Sequence, residues 1–526
     1  MSRVRACVPC SAARIQCDLA RPSCGRCTSR GLICSGLPLD DLFVFRDENE
    51  VAKRNSKRAR GERGQSFNRS GEASSSSSIV PRGRQALAAD NVPDIETLQR
   101  QFLWLNQRAL AEIPEPLKRD VETRAIERFF INWTLHPSND GGSPGHMHNL
   151  PALYSATQPD SVLWHAVRAV AFAEVRNQSI DNVPFNVKAR QQYGAALNSV
   201  RTIVTNENDI ANDRVLSAIL LLDNFELLYL ARNDPLSPHK DAIRHVLSIR
   251  GDKQLYSPTR FSLWRLTHYR LQSWQTLFQE EPDAQQIAWV SKLNIDHPDL
   301  RVCSHVLHMN ILSAAAKVLM RTPTDSEAIR IAKINQAMFM MQEMHTLILT
   351  IESFMTEMKG VWKATVGDPR NIRQPEDFEE LHNFPIPQFP YQRILSYDDI
   401  WLAYIWNFYI ASQIVLRESI VNVINYTTTL QGQQAPNEHD IASIQTQRNW
   451  IEVLSAAVIE SFPQLLGFTQ EQGSGWPRMP QQGRMAGRLF ALFSMWVIER
   501  AQFTSDQHKK TASEVVSWIN ARHGLD

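Results

Sequence analysis

The chain has 526 residues, 43% hydrophobic and 21% charged, with 56 Lys and Arg against 55 Asp and Glu. Such a composition is ordinary for a soluble globular protein and excludes collagen-like, wholly disordered and disulfide-scaffold chains. At roughly 100–200 residues per domain, there is chain for several domains and a large core. The neutral total hides a split. Residues 1–89 hold 16 basic and 8 acidic side chains, and residues 90–526 hold the other 40 and 47. A basic head on an acidic body points to a polyanionic partner for the head.

In chain order, Met1-Ser-Arg-Val-Arg-Ala-Cys7 has no apolar h-region, so no secretory signal is expected and the protein is expected inside the cell. Six of the seven cysteines come at once, as Cys7-x2-Cys10-x6-Cys17-x6-Cys24-x2-Cys27-x6-Cys34, while Cys303 stands alone. In a reducing compartment, clustered cysteines bind metal more often than they form disulfides. A C-x2-C pair brings two thiolates to one ion, and a cysteine six residues on closes the site after a short helix. Zinc wants four tetrahedral ligands, and thiolates are its favoured structural donors. The half-motif occurs twice, which points to two ions. Six sulfurs then serve two tetrahedral sites, so two cysteines bridge or one ion is under-coordinated. The bacterial ferredoxin spacing is not met.

Residues 7–34, CVPCSAARIQCDLARPSCGRCTSRGLIC, resemble the fungal binuclear zinc-cluster family of transcription factors, down to Asp18 after the third cysteine and Pro22 two before the fourth. The segment after Cys34, with Leu42-Phe43-Val44-Phe45-Arg46-Asp47-Glu48, is also similar to the stretch C-terminal to the cluster in such regulators. The resemblance implies two Zn²⁺ ions bridged by Cys7 and Cys24. One ion would take Cys7, Cys10, Cys17 and Cys24, and the other Cys24, Cys27, Cys34 and Cys7. It also implies that the first short helix enters the major groove of double-stranded DNA, with basic residues between the second and third cysteines touching bases and phosphates.

Where the family has Cys-Arg-x-Arg-Lys-x-Lys-Cys, this chain has Cys10-Ser11-Ala12-Ala13-Arg14-Ile15-Gln16-Cys17. Only Arg14 keeps a cation there. Arginine donates two bonds to guanine O6 and N7, worth roughly 1–3 kcal/mol of discrimination. Gln16 could bond an adenine edge or a phosphate without adding charge. Arg3, Arg5, Arg26 and Arg30 complete the candidate DNA contacts. Residues 1–35 carry six Arg and one Asp, a net of +5, which six thiolates and two Zn²⁺ reduce to +3. Each neutralised phosphate contributes about −0.9 to the slope of log K on log salt, so the module alone predicts weak, fairly salt-tolerant binding.

Residues 36–92 are poor in apolar side chains and biased to Ser and Arg, the composition of a mobile linker. Within them Lys53, Arg54, Lys57, Arg58, Arg60 and Arg63 resemble a nuclear localisation signal, and such a run also binds phosphate without sequence preference.

Beyond residue 93 the apolar residues recur at three- and four-residue steps. Helices are predicted at 95–109, 121–135, 162–175, 209–231, 261–279, 305–320, 330–358, 396–424, 439–466 and 484–503. About 430 residues exceed one usual core, so two sub-cores are expected. The closest approach to a membrane span, 400–416, is uncharged but interrupted by Asn407, Ser412 and Gln413, and falls short of the roughly 20 residues a bilayer needs. It reads as a buried aromatic helix, and no membrane partner is expected. The stretch His239-x2-Ala242-Ile243-x2-Val246-Leu247-x2-Arg250-Gly251 resembles the H-x-x-G-A-x-x-L-L-x-x-R-G segment of a fungal-specific regulatory domain, with Ala-Ile in place of Gly-Ala.

Catalytic patterns are weak. Gly141-Gly142-Ser143-Pro144-Gly145 fits G-x-S-x-G literally, but the oxyanion hole needs an N–H after the serine and Pro144 has none. His146 and His148 read as surface-loop histidines. The methionines at 338, 340, 341, 344, 355 and 358 read as core, with an adaptable ligand or partner groove as the alternative. No three-heptad repeat comes after the cluster, so a monomer, a homodimer through the body and a short zipper at 95–109 all stay open.

The expected fold class is a small binuclear zinc-cluster module (1–35), a disordered linker carrying the localisation signal (36–92) and a large all-α regulatory domain (93–526). The expected function is sequence-specific, DNA-binding regulation of RNA polymerase II genes in the nucleus, with two Zn²⁺ as cofactor and no enzymatic activity. Its partners would be double-stranded DNA and the transcription machinery or co-regulators. The alternative is a nuclear scaffold or co-regulator whose zinc module has lost base readout.

Overall fold

The computed structural model describes Cys10 and residues 25–30, 120–138, 142–175, 179–180, 183–203, 210–230, 239–368, 392–467 and 485–523. The linker at 36–92, its basic residues at 53–63 and the periodic segment at 95–109 lie outside the described residues. The chain divides into two compact units, Met1–Gln107 and Arg108–Asp526. In the first, α1 is a five-residue helix, Gly25–Ser29.

The described part of the second unit is built on helices: α2 (Val121–Trp133), α3 (Leu150–Ser155), α4 (Val162–Glu174), α5 (Phe185–Ile203), α6 (Asp213–Tyr229), α7 (Lys240–Arg250), α8 (Pro258–Phe278), α9 (Ala284–Ser291), α10 (Pro298–Arg321), α11 (Glu327–Glu357), α12 (Ile400–Leu430), α13 (Glu438–Leu465), α14 (Met485–Arg500) and α15 (Asp506–His523). Two antiparallel pairs of short strands accompany them, Ser179–Ile180 with Val183–Pro184 and Thr365–Gly367 with Ile394–Ser396. Local chemistry fixes several helix starts. The side chains of Asn212, Asp283, Ser326, Asp399 and Asn437 each accept a backbone N–H of the helix's first turn, at 2.7–3.2 Å.

Every periodic segment from 121 onwards is a helix. The expectation of two sub-cores is not met: one cluster of buried side chains runs from Ala125 to Ile519. Its continuity stems from α12, which is buried on nearly all sides over its first 24 residues and packs against α10, α11, α13 and α14. The 400–416 segment is thus a buried helix inside the protein. Among the described residues one helix, Pro298–Arg321, is long and apolar enough to cross a membrane, and 61% of its most apolar window is buried among the other helices. Cys303 sits on this helix, fully buried, with its carbonyl accepting from Gln272 at 2.7 Å.

All the named positions of the 239–251 motif but Ala242 have a structural reason. Ile243, Val246 and Leu247 are buried along one face of α7. His239 Nε2 lies 2.8 Å from Glu226 Oε1. Arg250 is buried, pairs with Asp213 at 2.8 Å and donates to the Ala211 carbonyl at 3.0 Å. Gly251 ends the helix at φ +55°, a conformation open to glycine.

The G-x-S-x-G stretch is a folded-in loop. Leu135 and His146 exchange backbone bonds of 2.9 and 2.8 Å, and Gly145 at φ +71° passes so close that a Cβ would lie 2.6 Å from the Leu135 oxygen. The Pro144 carbonyl accepts from Arg265 at 2.9 Å. The surface reading of His146 is corrected: it is 5% exposed, with the rings of Trp401 and Phe490 at 4.7 and 4.9 Å. His148 is half-buried. Of the α11 methionines, Met340 and Met344 are core and Met341 and Met355 are partly buried, but Met338 is 61% exposed beside an exposed Phe339.

Candidate metal centre and DNA-binding module

Cys10 and Cys27 are the second cysteines of the two C-x2-C pairs, and both are buried to 1% exposure. Cys27 lies in the middle of α1. That helix is closed by two bonds to the Arg26 carbonyl, from the Ser29 hydroxyl at 3.1 Å and the Arg30 N–H at 3.2 Å. A sulfur withdrawn from solvent in so short a helix fits a metal ligand, and the donor set is the thiolate set that structural zinc prefers. Cys7, Cys17, Cys24 and Cys34 lie outside the described residues, as do Arg3, Arg5, Arg14 and Gln16. Of the candidate DNA contacts, Arg26 is half-buried on α1 and Arg30, one residue beyond it, is exposed. The localisation residues Lys53, Arg54, Lys57, Arg58, Arg60 and Arg63 also lie outside the described residues.

Residues 5–40 match the fungal Zn(2)-Cys(6) binuclear cluster domain. The match contains all six clustered cysteines. This module binds two zinc ions, and it is a DNA-binding domain of fungal transcription regulators. No curated protein and no solved structure matches the chain.

With two ions and six sulfurs, the residues that would hold the metal are Cys7, Cys10, Cys17, Cys24, Cys27 and Cys34. The role of the zinc is structural: it supplies folding free energy to a segment too short for a core of its own. What the chain's own residues add is charge. Asp18 and six arginines surround the cysteines in sequence, and Arg30 leaves α1 with its side chain in solvent.

Among the described residues, no group of three or more His, Cys, Asp or Glu side chains could hold a metal ion, so His146 and His148 form no site of that kind. Sequence reasoning missed the environment of His146. Its ring partners come from α12 and α14, and no local pattern joins those helices to the loop.

Proposed function

We propose that the chain is a sequence-specific regulator of RNA polymerase II genes, with a DNA-reading module at 1–35, a linker at 36–92 that directs nuclear import, and a helical regulatory domain at 93–526. The observation that carries this reading is the binuclear cluster match at residues 5–40, placed ahead of a large helical body. The basic residues from Lys53 to Arg63 favour import into the nucleus. The 239–251 motif, whose buried residues hold α7 to α6, supports a fungal-type regulatory domain. Cys7 and Cys24 bridge the two ions, and Arg14, Gln16, Arg3, Arg5, Arg26 and Arg30 face the duplex. For protein partners, co-regulators or a second copy of the chain, α11 offers Ile331, Met338 and Leu349, exposed on one face at helical spacing.

A second reading is favoured by the sparse charge of residues 11–16: a nuclear scaffold or co-regulator whose module no longer reads bases. Selection of binding sites from random DNA by the full zinc-loaded chain separates the two. The regulator reading expects an enriched site, and Arg14→Ala loses the preference at one guanine, worth roughly 1–3 kcal/mol, while two zincs stay bound. An unchanged preference in the variant would remove Arg14 from the interface. No enriched site at all would favour the scaffold.

A further inference from the structure

The linker between α10 and α11 is Thr322-Pro323-Thr324-Asp325-Ser326, and every residue from Arg321 to Ile329 is exposed. Its backbone is irregular, and Thr322 and Ser326 hold extended conformations, with ψ of 134° and 158°. Three hydroxyls lie on it. That of Thr322 donates to the Val318 carbonyl at 2.7 Å, and that of Ser326 accepts the Ile329 N–H at 3.2 Å as the cap of α11. The Thr324 hydroxyl closes neither helix and accepts from Lys333 Nζ at 3.0 Å.

Lys333 is what sets this hydroxyl apart. It is 5% exposed, and its three N–H groups go to uncharged oxygens: the Thr322 carbonyl, the Thr324 hydroxyl, and the Tyr426 hydroxyl of α12 at 2.9 Å. A buried ammonium is ordinarily paired with an acid. Among the described residues Lys333 has no such pair. Arg330, on the same helix, is already engaged: it pairs with Glu327 and donates to the Leu430 carbonyl at 2.6 Å. An anion attached to Thr324 Oγ1 would give Lys333 its counter-charge. The flanking sequence fits the enzyme that attaches one. Asp325 follows the hydroxyl directly and Glu327 stands three residues on, while a single cation, Arg321, stands three residues before it. Two carboxylates behind the acceptor complement a basic substrate cleft.

We propose that Thr324 is the phosphorylation site of an acid-directed serine/threonine protein kinase, and that Lys333 receives the phosphate. Thr324 Oγ1 attacks the γ-phosphorus of MgATP, the bond to the β-phosphate oxygen breaks, ADP leaves, and the hydroxyl proton passes to the kinase's aspartate base. The product carries about −1.5 to −2 charges at pH 7. Lys333 already joins the linker, α11 and α12, and the phosphate turns a neutral contact at that junction into a charge-assisted one. Neither step requires the zinc module to read bases.

The test is treatment of the full zinc-loaded chain with MgATP and a purified acid-directed kinase, beside an arginine-directed one, with the modified residue located by fragmentation mass spectrometry. The acid-directed enzyme is expected to place one phosphoryl group on this linker, at Thr324, and Thr324→Val to lose it. Phosphorus NMR then follows the signal that is absent from Thr324→Val. Its second phosphate pKa is ordinarily about 6. The ammonium favours the dianion, so the value in the natural chain is expected about one unit below that in Lys333→Met, which keeps the apolar stem and leaves Thr324 a substrate. If Lys333→Met does not fold, the modified natural chain with and without urea gives the same comparison. Phosphate absent from Thr324, carried by Thr322 or Ser326 instead, or added only by the arginine-directed enzyme would overturn the proposal. So would a titration that is the same with and without the folded Lys333 contact.

Discussion

Glu174, the last residue of α4, accepts from Asn132 Nδ2 at 3.1 Å and from the Trp133 indole N–H. Desolvation outweighs those two bonds and pushes its carboxyl up to about 7 from an ordinary 4.5. Between those values the folded protein holds a proton that the unfolded chain has released, so this group's contribution to stability falls as pH rises through the window. Glu174→Gln removes the titration. Its melting temperature relative to the natural chain is expected to rise from about pH 5 to about pH 8, the gain amounting to a few kcal/mol at most. A difference independent of pH would show that the carboxyl ionises normally. Single residues were unevenly legible in the sequence. The cysteine spacing stated its own chemistry, because metal coordination needs particular side chains at particular intervals. His146 did not, because its burial is decided by Trp401 and Phe490, which reach it only through the fold. Arg250 lies between these cases: the Arg-Gly ending signalled a helix terminus, but its partner Asp213 belongs to another helix.

At the scale of elements, helices with large apolar residues on one face were readable, and the less regular ones were not. The stripe of α5 is Phe185, Ala189, Ala196 and Val200, too small a set of side chains to stand out from a polar sequence. The exposed charges of Asp506 and Lys510 mask the start of α15, whose buried apolar residues come later, at Ala512, Val515, Val516 and Ile519. How helices approach one another was also hidden. At Gly487, in the first turn of α14, a Cβ would lie 1.9 Å from the Leu465 carbonyl oxygen at the end of α13. Gly487→Ala must push these helices apart, and a loss of about 1–3 kcal/mol or more is expected from overpacking. Gly194 in α5 is the control: its missing Cβ would meet nothing within 4 Å, so alanine there is expected to stabilise by up to about 1 kcal/mol. Equal thermal shifts for the two variants would mean that α14 accommodates the methyl group.

For the whole molecule, the charge split at residue 89 now has a counterpart in how each unit is held together. In the first, the cluster module at residues 5–40 depends on thiolates and zinc, which supply roughly 10–16 kcal/mol in small zinc-finger peptides. The second has its own continuous apolar core, which includes no cysteine but Cys303. Removal of zinc is therefore expected to abolish DNA binding while leaving the helical circular-dichroism signal of the body and its thermal transition in place. Loss of both together would show that the metal supports the body as well.

Cys303 gives that separation a chemical count. Burial first, and the nearby Asp299 carboxylate second, hold its thiol well above the ordinary range, so it is shielded from electrophiles and is a poor nucleophile. On the proposed coordination, the other six are shielded by their metal. A maleimide should thus tag none of the seven in the intact protein, six once a chelator has stripped the zinc, and the seventh only when the helices separate. Mass spectrometry of the tagged chain would then register two unfolding events as two steps in mass, with no change made to the sequence.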